Sequence, residues 1–169
     1  MPLKEIDMKK LSVNPMTLIG QEWMLITAGN ADTGCNTMTA AWGHLGMIWN
    51  KPTATIYIRP QRFTREFVDR EEFFTLTFFD ERWKKQLGYL GTVSGRDEEK
   101  IGSAGLTPIF GDGTVWFEEA RLVLVCRKLY RQELDGDCFV DASLVERNYP
   151  QKDFHIQYVG EIVKVLAQV

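Results

Sequence analysis

Histidine and cysteine are scarce in this sequence, with two and three residues respectively among 169. His44 and His155 lie in no cluster of metal-binding residue types, and Cys35, Cys126 and Cys138 form no Cys-x-x-Cys pair. Zinc sites need clustered ligands, and a disulfide framework needs an even set of cysteines. The sequence therefore predicts no metal site and no disulfide framework, and we expect the cysteines to be small apolar residues.

Long apolar runs and an excess of charge of one sign are also missing. A membrane-spanning helix needs a stretch of about 18 apolar residues, and none is present. The charged start at residues 1–7 does not resemble a signal peptide. Lys and Arg number 20 against 23 Asp and Glu, which gives a formal net charge of -3. We therefore expect a cytoplasmic protein, one domain over residues 1–169, that binds neither membranes nor nucleic acid.

Several enzyme signatures are absent as well. Gly29 and Gly34 have the spacing that opens a Walker A loop, but Cys35 and Asn36 stand where that loop needs Lys and then Ser or Thr. No Gly-x-Gly-x-x-Gly run follows a strand-like pattern, and no serine lies in the context of a nucleophile elbow. These absences argue against a P-loop NTPase, a Rossmann-type dinucleotide site and a triad hydrolase.

The sequence does contain a series of strand-like runs. Residues rich in β-branched and larger apolar types occur at 22–28, 37–42, 53–59, 73–79, 115–131 and 155–168. The run 115–131 is long enough for two strands or one bent strand. Turn-forming residues occupy 29–36, and residues 135–137 have the composition of a hairpin turn. Many strands without regular βαβ alternation predict a mainly β fold, an antiparallel barrel with peripheral helices.

Two short helices are predicted beside these strands. Thr64 has the residue type of an N-cap for the first helix, and Asp80 has it for the second. In the second helix Trp83, Leu87 and Leu90 recur at i, i+4 and i+7, which indicates one apolar face. Both helices are expected at the periphery of the barrel.

One segment combines small residues with backbone donors and would let a flat ring approach the main chain. Its candidate site residues are Asn36, Thr37, Met38, Thr39, Ala40, Ala41 and Trp42. An interior strand with small side chains has the same pattern. Trp42 is equally typical of a core aromatic residue, so both interpretations stay open.

Two further segments offer positive charge and hydroxyl groups. The first contains Arg59, Gln61, Arg62 and Thr64, and the second contains Ser94, Arg96 and Lys100. The first segment lies where a strand ends and a helix begins, and the free N–H groups of a helix N-terminus bind phosphate readily. The cations of the second segment have the reach to contact an anionic ligand. A solvated turn and an exposed loop are the alternative interpretations.

Taken in order along the chain, these segments resemble the flavin reductase-like family, which includes flavoredoxin. The resemblance rests on residues 23–29, 36–43, 51–52, 58–64, 94–97, 126–130 and 153–162. Single segments are weak signals, whereas the ordered set is specific and extends from about residue 23 to residue 162.

The resemblance implies a homodimeric FMN-binding split barrel with the flavin near the subunit interface. It implies that residues 36–42 lie along the isoalloxazine ring and that the 59–64 corner, joined by Lys100, holds the ribityl phosphate. His155, in a His-x-x-x-Val-Gly pattern, would contact a nicotinamide or another electron donor. Simpler flavin reductases have adjacent Asp and His residues, whereas Phe154 separates Asp153 from His155 here.

A protein of this family would leave the redox chemistry to FMN. The predicted function is an NADH- or NADPH-dependent FMN oxidoreductase that passes hydride from the nicotinamide to the flavin. Two alternatives stay open. One is a flavoredoxin-like electron carrier that keeps FMN tightly bound and exchanges electrons with a redox partner protein. The other is a non-catalytic flavin-binding module.

Overall fold

Antiparallel strands form most of the computed structural model, which describes residues 1–169. The ten strands are β1 Leu3–Ile6, β2 Met24–Asn30, β3 Gly34–Ala40, β4 Gly43–Ile48, β5 Lys51–Ile58, β6 Phe73–Phe78, β7 Pro108–Gly111, β8 Thr114–Phe117, β9 Leu122–Glu133 and β10 Ile156–Gln168. The five helices are α1 Pro15–Thr17, α2 Phe63–Arg70, α3 Lys84–Thr92, α4 Lys100–Ser103 and α5 Ala142–Asn148. The mainly β, antiparallel architecture predicted from the sequence is confirmed.

The main sheet has the strand order β3-β2-β6-β9-β10-β5-β4, and β1 pairs with the end of β10. β10 pairs with β9 along nearly its whole length, while its first half pairs with β5. The register shifts between Val159 and Gly160 and between Ile162 and Lys164, and such irregularities bend a strand. Gly160 allows the close approach, because a Cβ there would lie 2.7 Å from the Phe74 ring. The sheet thus curls into a barrel.

The central strands are apolar on both sides because both faces of the sheet are covered. In β9, Leu124 and Cys126 face the barrel interior, whereas Val123 and Val125 pack beneath α3, α4 and the β7–β8 hairpin. Successive side chains of a strand point to opposite faces, so a strand covered twice shows a continuous apolar run. No helix of the structure is both long and apolar enough to cross a lipid bilayer.

Several local predictions need correction. The two predicted helices correspond to α2 and α3, but α1, α4 and α5 were not predicted. Thr64 is not an N-cap, because Arg62 holds that position and Thr64 lies buried in the first turn of α2, where it accepts a hydrogen bond from Asn36. Asp80 precedes a 3₁₀ turn, Glu81–Trp83, and makes no side-chain capping bond.

The segment between β9 and β10 also differs from the prediction. Residues 135–137 do not form a hairpin turn, because the Asp135 side chain caps the 3₁₀ turn Gly136–Cys138, which leads towards α5. The two strands are antiparallel neighbours, but residues 134–155 connect them through this helical excursion. The run 115–131 contains two strands, since β8 ends at Phe117 and pairs with β7.

Candidate functional site

Two adjoining pockets lie where β3, the end of β5 and the start of α2 meet. The larger one, here called the cleft, has a volume of about 500 Å³ and is lined by Met38, Thr39, Ala40, Ala41, Trp42, Tyr57, Arg59, Gln61, Arg62 and His155. The smaller one, here called the basic pocket, has a volume of about 220 Å³. It is lined by Asn36, Met38, Gln61, Arg62, Phe63, Thr64, Thr92, Val93, Ser94, Gly95 and Lys100.

Most side chains that the sequence singles out line one of these pockets. Thr37 and Arg96 do not. Because β3 side chains alternate and Met38 packs into the barrel interior, Thr37 points to the opposite face of the sheet, where its hydroxyl lies 2.8 Å from the hydroxyl of Thr27. Arg96 is exposed and pairs with Glu66 at 3.0 Å. The structure therefore places these two side chains outside both pockets.

Lys100 is the most deeply buried cation of the site, with 3% of its surface exposed. Its Nζ donates hydrogen bonds to the carbonyls of Leu90 at 3.1 Å and Val93 at 3.0 Å. An ammonium group has three N–H donors, so one is left for the basic pocket. Burial and the nearby Arg62 guanidinium lower the pKa of Lys100 to about 8. The group has no carboxylate partner.

The hydroxyl and amide groups of the basic pocket are held in place by a close backbone approach. Asn36 Nδ2 donates to Thr64 Oγ1 at 2.9 Å, which leaves the Thr64 hydroxyl proton free to reach a ligand. A Cβ on Gly95 would lie only 2.2 Å from Asn36 Oδ1. The loop that carries Ser94 therefore reaches β3 because residue 95 has no side chain.

Arg62 stands between the two pockets. It is the N-cap residue of α2, and its guanidinium donates to the Gly91 carbonyl at 3.3 Å. Burial and the charge of Arg59 lower the pKa of Arg62. The first amides of α2 have no helical carbonyl upstream to accept their hydrogen bonds. The helix start therefore adds N–H donors beside Arg62 and Thr64.

Small residues form one wall of the cleft, and Trp42 stands at its open side. Ala40 and Ala41 leave room against the backbone, as the flat-ring interpretation requires. Trp42 is 51% exposed, so it is not a core aromatic residue. Its ring centroid lies 5.2 Å from that of His155. The Thr39 hydroxyl donates to the Leu87 carbonyl at 2.5 Å and ties this wall to α3.

His155 lies just before β10 and is 8% exposed. Its Nδ1 is 2.6 Å from the hydroxyl of Tyr149, whereas Nε2 has no hydrogen-bond partner in the protein and is not sealed from solvent. Burial, with the nearby Arg59 guanidinium, lowers the pKa of His155 to about 4. The imidazole is therefore neutral at pH 7.

Arg59 belongs to the wall of the cleft. Its guanidinium donates to Asp153 Oδ2 at 2.9 Å and to the Asn148 carbonyl at 2.9 Å. Gln61 Nε2 donates to the same Asp153 oxygen at 3.0 Å. The sequence groups Arg59 with Thr64 in one phosphate corner, but in the structure the charge of Arg59 is paired, and of the residues in this corner only Gln61 and Arg62 line both pockets.

Tyr149 is a part of the site that the sequence reasoning missed. It follows α5, in a connection whose helical structure was not predicted, so no strand pattern pointed to it. It is packed against Phe154 and Phe139, with ring centroids 4.9 and 6.0 Å away. The only signal was the aromatic residues 139, 149 and 154 before His155.

The site is electropositive in a chain with a net charge of -3. Three cations, Arg59, Arg62 and Lys100, line the two pockets, and no Asp or Glu side chain does. Arg62 and Lys100 form no ion pair in the structure, since Arg59 alone of the three has a carboxylate partner. The donor set of the basic pocket, made of an ammonium, a guanidinium, hydroxyls and amides, has the chemistry that recognises a phosphate.

Comparison with known proteins places the chain in context. The sequence model described as "Flavin reductase like domain" matches residues 16–168. No curated protein sequence matches the chain.

Several solved structures have a similar fold at low sequence identity. Flavoredoxin of Desulfovibrio vulgaris (Miyazaki F) superposes with a TM-score of 0.67 at 21% identity over 86% of this chain and 69% of its own. An FMN-binding protein from Thermus thermophilus with bound 1-cyclohex-2-enone has a TM-score of 0.66 at 21% identity over the same shares, 86% and 69%. An NADH:FAD oxidoreductase of Streptomyces globisporus C-1027 has a TM-score of 0.64 at 13% identity over 87% and 75%. These likenesses establish the split-barrel fold.

Proposed function

Because this chain belongs to the flavin reductase-like family, we propose that it is a flavoprotein that binds FMN and accepts hydride from NADH or NADPH. The observation that carries the proposal is the basic pocket. It holds a buried ammonium and a guanidinium without any carboxylate partner, next to a cleft with a flat wall of small residues.

The residues of the basic pocket fit the phosphate of FMN. Lys100 has one N–H donor to spare, and the hydroxyls of Thr64 and Ser94 can rotate their protons towards a phosphate oxygen. The start of α2 adds amide donors and the positive end of its dipole. Gly95 keeps the basic pocket open beside Asn36, because a Cβ at residue 95 would meet the Asn36 side chain.

The cleft would hold the isoalloxazine ring along β3. When bound, FMN supplies the hydride-accepting ring and the store of two electrons. Backbone amides of residues 39–42 would bond the polar edge of the ring and stabilise negative charge that develops there. Trp42 would wall off the ring at the open side of the cleft. His155, neutral at pH 7, would present Nε2 to the molecule that exchanges hydride with the flavin.

A homodimer is part of the proposal. β4 is an edge strand of the sheet, and the side chains at its end are exposed, 70% for Met47 and 53% for Trp49. Uncovered apolar side chains along a sheet edge are typical of an interaction surface. Sedimentation of the purified protein is expected to give twice the chain mass, and a monomer at micromolar concentration would contradict this part.

A second candidate function is electron transfer with a redox partner protein. The open side of the cleft favours it, because Trp42 is half exposed there and a partner surface would have access to a flavin edge. In that case FMN would stay bound and no nicotinamide would reduce it.

Two measurements test these proposals. The absorption spectrum of the purified protein, with mass spectrometry of the released ligand, is expected to identify FMN. Stopped-flow mixing with NADH and with NADPH under anaerobic conditions is expected to bleach the visible flavin band. Bound FMN without bleaching by either donor would overturn the reductase and leave the electron carrier. Failure to bind FMN at all would overturn both.

A further inference from the structure

We infer that Tyr149 is a positioning residue that donates its phenolic proton to His155 Nδ1 and so holds His155 as a neutral Nε2–H donor facing the cleft. This inference rests on the proposed function for its kinetic consequence, but the proton position itself is a property of the protein alone. The observation behind it is the 2.6 Å contact between the Tyr149 hydroxyl and His155 Nδ1.

The Tyr149 ring is fixed on several sides. It is 5% exposed and packs against Phe154, the residue that separates Asp153 from His155 in this sequence. The Arg59 guanidinium lies 5.0 Å from its ring centroid. Arg59 also bonds the Asn148 carbonyl, just before Tyr149, and the Asp153 carboxylate after it. Both ends of the segment are thereby clamped, so the hydroxyl is held against one imidazole nitrogen.

The direction of this hydrogen bond follows from the inventory of donors. Among side chains and backbone carbonyls, His155 Nδ1 is the only partner of the Tyr149 hydroxyl. If Nδ1 carried the proton, the phenol oxygen would accept it and the phenolic proton would have no acceptor within the protein. A neutral imidazole has one donor and one acceptor nitrogen. With the phenol donating to Nδ1, the imidazole proton resides on Nε2, the nitrogen without a protein partner.

The chemistry of the ligand group follows from this assignment. A neutral N–H donor suits a hydrogen-bond acceptor, such as the carbonyl oxygen of a carboxamide or ketone. It does not suit an ammonium or another donor. Burial keeps the His155 ring neutral, and of the charged groups that face it Arg59 and Arg62 add to this effect while Asp153 opposes it. Tyr149 then decides which nitrogen carries the proton.

The test is a long-range ¹H–¹⁵N spectrum of the purified protein with labelled histidine. The chain has only two histidines, so His44→Gln assigns the remaining signals to His155. At pH 7 we expect a single neutral tautomer with the proton on Nε2. In Tyr149→Phe, which keeps the ring and loses only the hydroxyl, we expect signals averaged between the two tautomers. Tyr130→Phe, which removes an exposed phenol paired with Gln132, is the matched control and should leave the His155 pattern unchanged.

Stopped-flow reduction supplies a second readout. Tyr149→Phe is expected to lower the rate constant of flavin reduction about tenfold, the effect of one ordinary hydrogen bond, with unchanged FMN affinity. A wild-type proton on Nδ1, or a Tyr149→Phe spectrum identical to wild type, would overturn the inference. An altered spectrum with an unchanged reduction rate would overturn the positioning role. If neither nicotinamide reduces wild type, the proposed reductase fails, and the spectra still decide where the proton lies.

Discussion

The basic pocket contains the buried cation Lys100, and the cleft contains the half-buried cation Arg59. The two cations differ in their hydrogen-bond partners. Arg59 in the cleft is neutralised by Asp153 at 2.9 Å and bonded to a carbonyl. Lys100 in the basic pocket is bonded only to the carbonyls of Leu90 and Val93 and has no carboxylate partner. A buried charge without a counterion is costly unless a ligand compensates it. The difference teaches that the unpaired positive charge of the site lies in the basic pocket, at Lys100 and the neighbouring Arg62.

The two regions therefore have different roles in the proposed function. The basic pocket supplies charge for an anion that arrives with the ligand. The Arg59–Asp153 pair supplies rigidity to the segment that carries Tyr149 and His155. Substitutions in the two regions should accordingly change different quantities. Three substitutions and one pH profile, ordered by expected effect, test the division.

The largest effect is expected for Lys100→Met. Methionine fills similar volume but removes the ammonium that would meet the phosphate. We expect FMN affinity to fall by about 2–3 kcal/mol, roughly 30- to 150-fold, the scale of a lost hydrogen bond to a charged group. Isothermal titration of the flavin-free protein with FMN measures it. Lys85→Met on the exposed face of α3 is the control, and equal affinities of the two variants would contradict the assignment of Lys100.

Gly95→Ala is expected to have the next largest effect. The new Cβ would lie 2.2 Å from Asn36 Oδ1, so the Asn36 side chain or the loop must move and the contact with Thr64 is disturbed. We expect FMN affinity to fall about tenfold, the equivalent of one lost hydrogen bond. Gly88→Ala is the control, because a Cβ there meets nothing within 4 Å and alanine favours the α3 helix. Unaltered FMN binding in Gly95→Ala would show that this loop does not shape the site.

The pH dependence of binding is a third measurement. The pKa of Lys100 is lowered to about 8, chiefly by burial, so the ammonium is lost as pH rises through that value. A bound phosphate favours the charged form, so FMN affinity should be highest below pH 8 and fall above it, by about five- to tenfold at pH 9. In the flavin-free protein the same lowered pKa affects folding stability, which changes with pH in the opposite direction to FMN affinity. Folding is disfavoured by this group at low pH, and the penalty is relieved between about pH 8 and the ordinary lysine value.

Lys100→Met separates this effect from the titration of the flavin itself. The variant lacks the ammonium, so its FMN affinity should change less between pH 7 and pH 9 than that of wild type. Parallel pH profiles for the two proteins would mean that Lys100 does not bear the charge that FMN recognises.

Sequence patterns predicted the architecture because the strands are long, β-branched and apolar where both sheet faces are covered. β5, β6, β9 and β10 all correspond to predicted runs. The helical turns between β9 and β10 were missed because the local signal at residues 135–137 is the same for a hairpin turn and for a capped 3₁₀ turn. Only tertiary packing, that of Tyr149 against Arg59 and Phe154, distinguishes them.

Most residues that line the two pockets were predicted to lie together, but the division between the two pockets was not predicted. Residue type and order identified Asn36, Thr64 and Lys100, yet composition favoured an exposed loop for Lys100, which the structure buries. A sequence does not reveal which arginine of the 59–62 corner is already paired. Asp153 lies far from Arg59 along the chain. The two residues meet only because β10, which begins just after Asp153, pairs with β5, which ends just before Arg59. Partners that meet through sheet pairing leave no local pattern.

The smallest effect on FMN affinity is expected for Arg59→Met, and this prediction separates the two regions most directly. Because Arg59 is paired with Asp153 and lies in the cleft wall, its loss should weaken FMN binding less than about threefold, well below one charge-assisted hydrogen bond. The Asn148 carbonyl loses its donor and the Asp153 carboxylate keeps only the one from Gln61, so the 148–155 segment should loosen. We expect faster amide hydrogen exchange there and a slower flavin reduction.

Arg131→Met is the matched control for Arg59→Met, since Arg131 also pairs with a carboxylate, that of Asp69 at 2.8 Å, but lines neither pocket. It should leave exchange in residues 148–155 and flavin reduction at wild-type values. A loss of FMN affinity in Arg59→Met as large as that in Lys100→Met would place Arg59 on the phosphate. The 59–64 corner would then act as one anion site, as the order of residues along the chain suggests, and the distinction between paired and unpaired cations would not decide where FMN binds.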